Sequence, residues 1–304
     1  MKPKVIVIVG PTASGKTALG IEVAKELNGE IISCDSMQIY KEMNIGTAKP
    51  TQDEMQTVPH HMIDFVSPDT RYTVSDYKKQ AKIEIEDIIR RKKMPIIVGG
   101  TGLYVNSLIY EIDYTEIKVD EKYRKQLENI AETEGLRKLY DKACKIDPDA
   151  MKIISQNDKK RILRVLEIYH DTGKTKTELE ILSRKNEVPY DYRVFAIDIP
   201  REILYKRIDA RVDLMIKNGL IDEVKQLLQK YKNFPTAMQG IGYKEIKEYL
   251  DGSISIEKAI EKIKKESRNY AKRQITWFKK NQETIWLNGE IEQKQNVKII
   301  QENL

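Results

Sequence analysis

A chain of 304 residues, 40% of them hydrophobic, is long enough for one large domain with an elaboration, or for two domains. Charged residues at 33% against 7% aromatics suit a helix-rich protein with many solvated faces, and two cysteines, Cys34 and Cys144, exclude a disulfide framework and any metal-ligand spacing. No run approaches the roughly 20 apolar residues that a bilayer span needs, and the apolar run at residues 5–9 is too short for a secretory signal, so a cytoplasmic protein in a reducing compartment is expected.

The first element is Lys4–Val9, a buried strand by pattern, followed after a glycine loop by a helical stretch at residues 17–27. Between them Gly10-Pro11-Thr12-Ala13-Ser14-Gly15-Lys16-Thr17 matches G-x-x-x-x-G-K-[ST] in full, after a strand and before a helix. Glycines in such a loop let backbone N–H groups turn inward, and the helix N-terminus adds positive potential. Lys16 reaches phosphate oxygens, and Thr17 offers a hydroxyl to Mg²⁺. The loop specifies a di- or triphosphate and leaves open the molecule that carries it.

A second strand at residues 30–33 leads to Asp35, an amphipathic helix is expected over residues 74–92, and a third strand over residues 96–98. That third strand ends Val98-Gly99-Gly100-Thr101-Gly102, without the carboxylate that nucleotide hydrolases of this type carry there. Metal and base chemistry must come from elsewhere. Asp35 is the candidate, because ligands of such folds lie outside the carboxyl ends of the parallel strands; a helix cap or turn residue is the other reading. The pair His60-His61 has no further ligand to complete a zinc site and reads as structural.

From residue 115 to 192 the pattern turns helical and densely charged, which predicts a helical insertion domain. Residues 1–114 and 193–304 then form the core, with further strands at 194–199 and 284–287 and a mostly helical stretch at 201–281. Strands separated by helices predict an α/β fold: a P-loop NTPase-like parallel sheet flanked by helices. The net charge of +6 is unevenly placed, since residues 262–280 hold eight basic side chains against one acid. By charge alone that run reads as a solvated helix face, with polyanion binding the alternative.

Several segments, in order from residue 5 to about 287, resemble the bacterial tRNA dimethylallyltransferase (tRNA isopentenyltransferase) family. They are the phosphate loop, Ser33-Cys34-Asp35-Ser36-Met37-Gln38-Ile39-Tyr40, Gly46-Thr47-Ala48-Lys49-Pro50 and Pro59-His60-His61-Met62-Ile63-Asp64. Gly99-Gly100-Thr101-Gly102-Leu103-Tyr104 and Asn157-Asp158-Lys159-Lys160-Arg161 follow, then Gln239-Gly240-Ile241-Gly242-Tyr243 and Lys272-Arg273-Gln274-Ile275-Thr276-Trp277-Phe278. The resemblance implies dimethylallyl diphosphate as donor, Mg²⁺ as cofactor, and as acceptor the exocyclic amine of the adenosine 3′ of a tRNA anticodon. It also implies the anticodon stem-loop as macromolecular partner; a monomer is expected, and from the apolar pattern no membrane contact.

On the same resemblance Asp35 is the base, while Lys16, the loop amides and Thr17 with Mg²⁺ neutralise the leaving diphosphate. Thr101 hydrogen-bonds the amine or the diphosphate. One of Arg207 and Arg211, four apart on a helix face, clamps the diphosphate, a surface ion-pair role being the alternative for the two. Contacts to tRNA are expected near the bases from Asp35, Ser36, Met37, Gln38 and Thr101, and from Gln239, Gly240, Gly242, Tyr243 and Lys244. Further contacts are expected from Arg124, Lys160, Arg161 and Arg164, and from Lys272, Arg273, Gln274, Trp277 and Lys279; by residue pattern, Trp277 and Phe278 read as helix packing. Two competing readings are a P-loop nucleoside or small-metabolite kinase, which has no need of the basic run, and a prenyltransferase using free adenine nucleotides, which has no need of the basic residues 159–164. An RNA-binding P-loop switch protein would want a strand-end Asp that is missing.

Overall fold

The computed structural model describes residues 2–55, 58–112, 120–183 and 186–304. The chain divides into two compact units, Met1–Ile109 with Pro189–Leu304, and Tyr110–Val188. The insertion start expected at residue 115 lies outside the described residues, and the end expected at residue 192 falls inside a core strand.

In chain order the first unit begins β1 (Lys4–Val9), α1 (Lys16–Glu26), β2 (Gly29–Cys34), α2 (Gln52–Met55), β3 (His60–His61), α3 (Val74–Arg90), β4 (Met94–Gly99) and α4 (Gly102–Ile109). The second unit holds α5 (Glu121–Thr133), α6 (Leu136–Ile146), α7 (Pro148–Met151), α8 (Lys159–Thr172) and α9 (Lys176–Ser183). The chain then returns through β5 (Asp191–Asp198), α10 (Arg201–Lys217), α11 (Leu220–Lys230), α12 (Tyr243–Leu250), α13 (Ile256–Phe278), β6 (Ile285–Asn288) and α14 (Gln293–Glu302).

The six strands form one parallel sheet in the order β3-β2-β4-β1-β5-β6, the fold class expected from the alternation of strands and helices. Its hydrophobic strands are explained by burial on both faces. Along β1, Ile6 and Ile8 enter one core with Ile96, Val98, Phe195 and Ile197, while Val5, Val7 and Val9 enter the opposite core with Ile97, Val194 and Ala196. Each such buried aliphatic side chain contributes about 1.5–3 kcal/mol by leaving water. Helix α3 covers the second face with Tyr77, Ala81, Ile85 and Ile88, one turn apart or nearly so. It starts at Thr73, whose side chain and that of Asp76 each accept the other's backbone N–H. A third core gathers α10 to α13 around Leu220, Val224, Tyr243, Ile246 and Ile263.

Two elements differ from expectation. The His60-His61 pair is a two-residue edge strand: His61 Nε2 lies 2.7 Å from Glu30 Oε2 and its Nδ1 3.0 Å from Glu84 Oε2. The terminal helix α14, not anticipated from sequence, seals the first core against α1 with Val297 and Ile300. The second unit has its own core of Leu127, Leu139, Ala143, Ile162 and Leu166. Among the described residues no helix is long and apolar enough to cross a membrane.

Candidate active site

Register places the chemistry. Val9 and Cys34 both pair with Gly99, so β1, β2 and β4 end at one level of the sheet. Gly10, Asp35 and Gly100 therefore leave the carboxyl edge side by side, where parallel sheets hold ligands. Asp35 Oδ1 accepts the N–H groups of Met37 (2.9 Å) and Gln38 (3.3 Å), so the turn reading is realised in one oxygen, the only one engaged among the described residues. Thr101 is locked to the same strand end: its N–H donates to Cys34 O at 3.1 Å and its Oγ1 accepts from Ser36 N at 3.0 Å.

One face of α13 braces this edge. Gln274, buried, accepts Thr12 N–H with Oε1 at 2.9 Å and donates from Nε2 to Gly100 O at 2.8 Å, tying the phosphate loop to the end of β4. The approach is so close that a Cβ at Gly100 would lie 2.1 Å from Gln274 Nε2, and one at Gly102 would lie 2.3 Å from Trp277 Cδ1. Only glycine fits under these two side chains.

Above the edge opens a cavity of about 300 Å³, lined by Thr12, Asp35, Ser36, Met37, Gly46 and Thr47, by Arg211, Gln239 and Gly240, and by Tyr270 and Arg273, with Ile208, Val212, Met215 and Ile263 as apolar wall. Arg211 reaches this cavity; Arg207 is exposed and is not among its lining residues. Burial first and the Arg211 charge second bring the Lys16 ammonium down to about 8, against the Asp35 carboxylate, which acts in the opposite sense. Burial likewise lowers Arg211, against the attraction of Asp35. Three charges thus share one half-buried site with a net positive balance. Ser14 Oγ in the loop is buried without a hydrogen-bond partner among the described residues, so its hydroxyl is not committed to a protein acceptor there. Cys34 is no competing nucleophile, since burial pushes its thiol up to about 12.

A pH dependence follows from Lys16. A diphosphate attracts its protonated form, so the bound lysine titrates above the free one at about 8. Below pH 8 the free site already holds the proton and affinity is insensitive to this group. Above it the proton must be taken up on binding, and affinity falls by up to tenfold per pH unit until the bound lysine also titrates. Titrating a diphosphate monoester from pH 7 to 9.5 against wild type and Lys16→Met checks this; the variant binds weakly but lacks the alkaline fall.

The residues expected to meet RNA divide by burial. Lys160, Arg161, Gln239, Lys244, Lys272, Arg273 and Lys279 are exposed. Tyr243 is 0% exposed: its hydroxyl donates to Glu223 Oε1 at 2.6 Å, and its ring packs on Gly46. Gly242 is buried too, its N–H donated to Glu245 Oε2 at 2.8 Å. Gln274 is the brace described above, and Gln38 spends its amide N–H groups on Thr47 O and Ala48 O, each at 3.2 Å. Trp277 is half-buried against Gly102, its packing reading. Arg124 is paired with Glu167 and Glu128, and Arg164 with Glu167.

Two residues of the site escaped sequence reasoning. Tyr270 lines the cavity three residues before Arg273; burial and the Asp35 carboxylate hold its phenol high, against a hydrogen bond with Thr101. The spacing of Tyr270, Arg273, Gln274 and Trp277 along one helical face was the available signal. Glu223 accepts the N–H groups of Asn44 (2.9 Å), Ile45 (2.8 Å) and Gly46 (3.1 Å), fixing the loop that walls the cavity, and nothing in its local sequence marks it.

A phosphate loop on the carboxyl edge of an all-parallel sheet with helices on both faces defines a P-loop-like α/β protein. Residues 38–281 match the model of the IPP transferase family, and the chain belongs to that family. It is 50% identical over 282 residues to the tRNA dimethylallyltransferase of Caldanaerobacter subterraneus subsp. tengcongensis, covering 92% of this chain and 90% of that one. To the Bacillus velezensis tRNA dimethylallyltransferase it is 46% identical over 94% of this chain and 90% of that one. Among solved structures, the tRNA isopentenylpyrophosphate transferase of Bacillus halodurans superposes with a TM-score of 0.74 at 41% identity, over 99% of this chain and 95% of that one. A eukaryotic dimethylallyltransferase described as acting on tRNA gives 0.79 at 34% identity, over 94% of this chain and 74% of that one.

Proposed function

We propose that this enzyme transfers a dimethylallyl group from dimethylallyl diphosphate to the N6 amine of the adenosine 3′ of a tRNA anticodon, releasing diphosphate, as a cytoplasmic monomer. The observation that carries the reading is the meeting of a carboxylate, Asp35, with Lys16 and Arg211 at a phosphate loop whose neighbouring strand β4 runs out into Gly99-Gly100-Thr101 without an acid. The amine lone pair is delocalised into the purine, so its attack on C1 of the donor needs a base. Asp35 accepts the N–H proton as the C–N bond forms, and the C1–O bond electrons pass to the diphosphate. Lys16, Arg211 and the loop amides stabilise that departing charge.

Among the described residues, no cluster of three His, Cys, Asp or Glu side chains could hold a metal by itself. A single hydroxyl donor, Thr17, fits Mg²⁺ bound chiefly through substrate phosphates and water, and the ion would supply charge neutralisation at the leaving group. The target base is stacked in its loop and must be extruded to reach the cavity, with the exposed basic residues of α8 and α13 holding the backbone.

The test incubates unmodified tRNA with dimethylallyl diphosphate and Mg²⁺, then digests and weighs the nucleosides; a five-carbon addition to one adenosine is expected. With Mg²⁺, dimethylallyl diphosphate and diphosphate are also expected to raise the thermal midpoint by ordinary linkage, more than ATP does at equal concentration. A strict ATP requirement for transfer would overturn the reading.

A further inference from the structure

Helix α8 carries an acid in its interior. Glu167 is 0% exposed and lies between Leu166 and Ile168, both buried. An ionised carboxylate at that depth is costly unless paired. Its partners are two of the arginines expected to meet RNA. Arg124 Nη1 donates to Oε1 at 2.9 Å, while Arg164 Nη1 lies 3.6 Å from Oε2, an ion pair beyond hydrogen-bond reach that leaves this buried oxygen without a hydrogen bond among the described residues. Arg124 is fixed a second time, its Nε donating to Glu128 Oε1 at 3.2 Å. Both arginine side chains nevertheless stay about 40% exposed, at 39% and 40%. A guanidinium has five N–H donors, so each retains several for a partner. The helix pair is stiffened one turn along, where Tyr123 stacks on His170 at 3.8 Å between centroids.

We infer that Glu167 is a positioning residue for RNA: from beneath the surface it holds Arg124 of α5 and Arg164 of α8 together as a paired clamp for backbone phosphate. The inference rests on the tRNA reading above. One carboxylate, hydrogen-bonded to Arg124 and ion-paired with Arg164, keeps both cations within reach of one or two neighbouring phosphates and lowers the entropy cost of binding. Surface lysines without such an anchor contribute charge without direction.

The sign of one substitution separates positioning from charge. Glu167→Gln removes a negative charge from a polyanion-binding face, so electrostatics alone gives tighter binding. Positioning gives the reverse: unmodified tRNA is expected to bind roughly fivefold more weakly or worse, the scale of removing one arginine from such an interface. The log–log salt slope is expected to shrink by about 0.7–0.9 for each phosphate no longer neutralised, although the protein has become more positive. Glu167→Asp keeps the charge but falls a methylene short of the guanidinia, and is expected to weaken binding in the same direction; it decides the matter should the Gln variant fold poorly. In an Arg124→Ala/Arg164→Ala background Glu167→Gln is expected to change affinity no further, whereas a merely structural acid would still matter. Thermal protection by Mg²⁺ and diphosphate, a readout of the other unit, stays at the wild-type level. Unchanged or tighter tRNA binding by folded Glu167→Gln or Glu167→Asp overturns the inference. A wild-type protein that binds no tRNA overturns the functional reading instead.

Discussion

Asp35→Ala is expected to slow single-turnover prenyl transfer by about 10²-fold or more, the usual scale for losing a general base. Oδ1 of Asp35 also accepts two N–H groups of its own turn, so alanine removes a local brace together with the base. Asp35→Asn separates the two roles, because the amide oxygen still accepts those N–H groups while no proton can be taken. Both variants are expected to keep tRNA affinity near wild type, and both to be slow. An Asn variant that transfers at close to the wild-type rate would leave Asp35 a turn residue and nothing more. The Asp35 charge also supports Lys16 and Arg211 in their protonated forms. Removing it therefore leaves a more strongly positive site, and diphosphate is expected to bind the variants at least as tightly as wild type.

Arg211→Ala is the second large effect, expected to cut transfer by about 10²–10³-fold, as removal of a charge-stabilising donor from a partly dry site does. Arg207→Ala, four residues earlier on the same helix, is expected to stay within about twofold, because exposed substitutions away from a site change little. The pair is a controlled comparison of the same residue type on one helix. A second readout comes from Lys16, whose proton affinity is depressed by burial first and by Arg211 next. Without Arg211 the alkaline fall in diphosphate affinity is expected to move to higher pH. Equal activity of the two alanine variants, or loss at Arg207 alone, would send the clamp assignment back to the helix surface.

Much of this molecule is set by short-range pattern. The phosphate loop lies in eight consecutive residues, because a strand, a glycine turn and a helix start need only local backbone geometry. The parallel sheet is legible for the same reason: apolar runs such as Lys4–Val9 carry no polar alternation, which marks strands buried on both faces. Asp35 could be named from its place after the second strand. Its neighbours could not, since Val9, Cys34 and Gly99 share a level only through register, a property of paired strands and of no single one.

Burial decided the rest. Within the motif Gln239–Tyr243 local sequence cannot tell that Gln239 is exposed while Tyr243 is sealed against Gly46 with its hydroxyl on Glu223, a residue about 20 positions away. The same holds for Arg207 and Arg211, equal in charge and helical in spacing, of which α13 and the loops beside the phosphate site enclose only the second. Hydrogen-bond partners and desolvation come from chain segments far apart in sequence: Gln274 meets Thr12 across 262 positions. Sequence by itself determined which chemistry is present, a phosphate loop with an acid beside it. Only tertiary structure decided which side chains lose water, and it is the desolvation of Lys16 and Arg211 beside the Asp35 carboxylate that sets these charges apart from a solvated surface cluster.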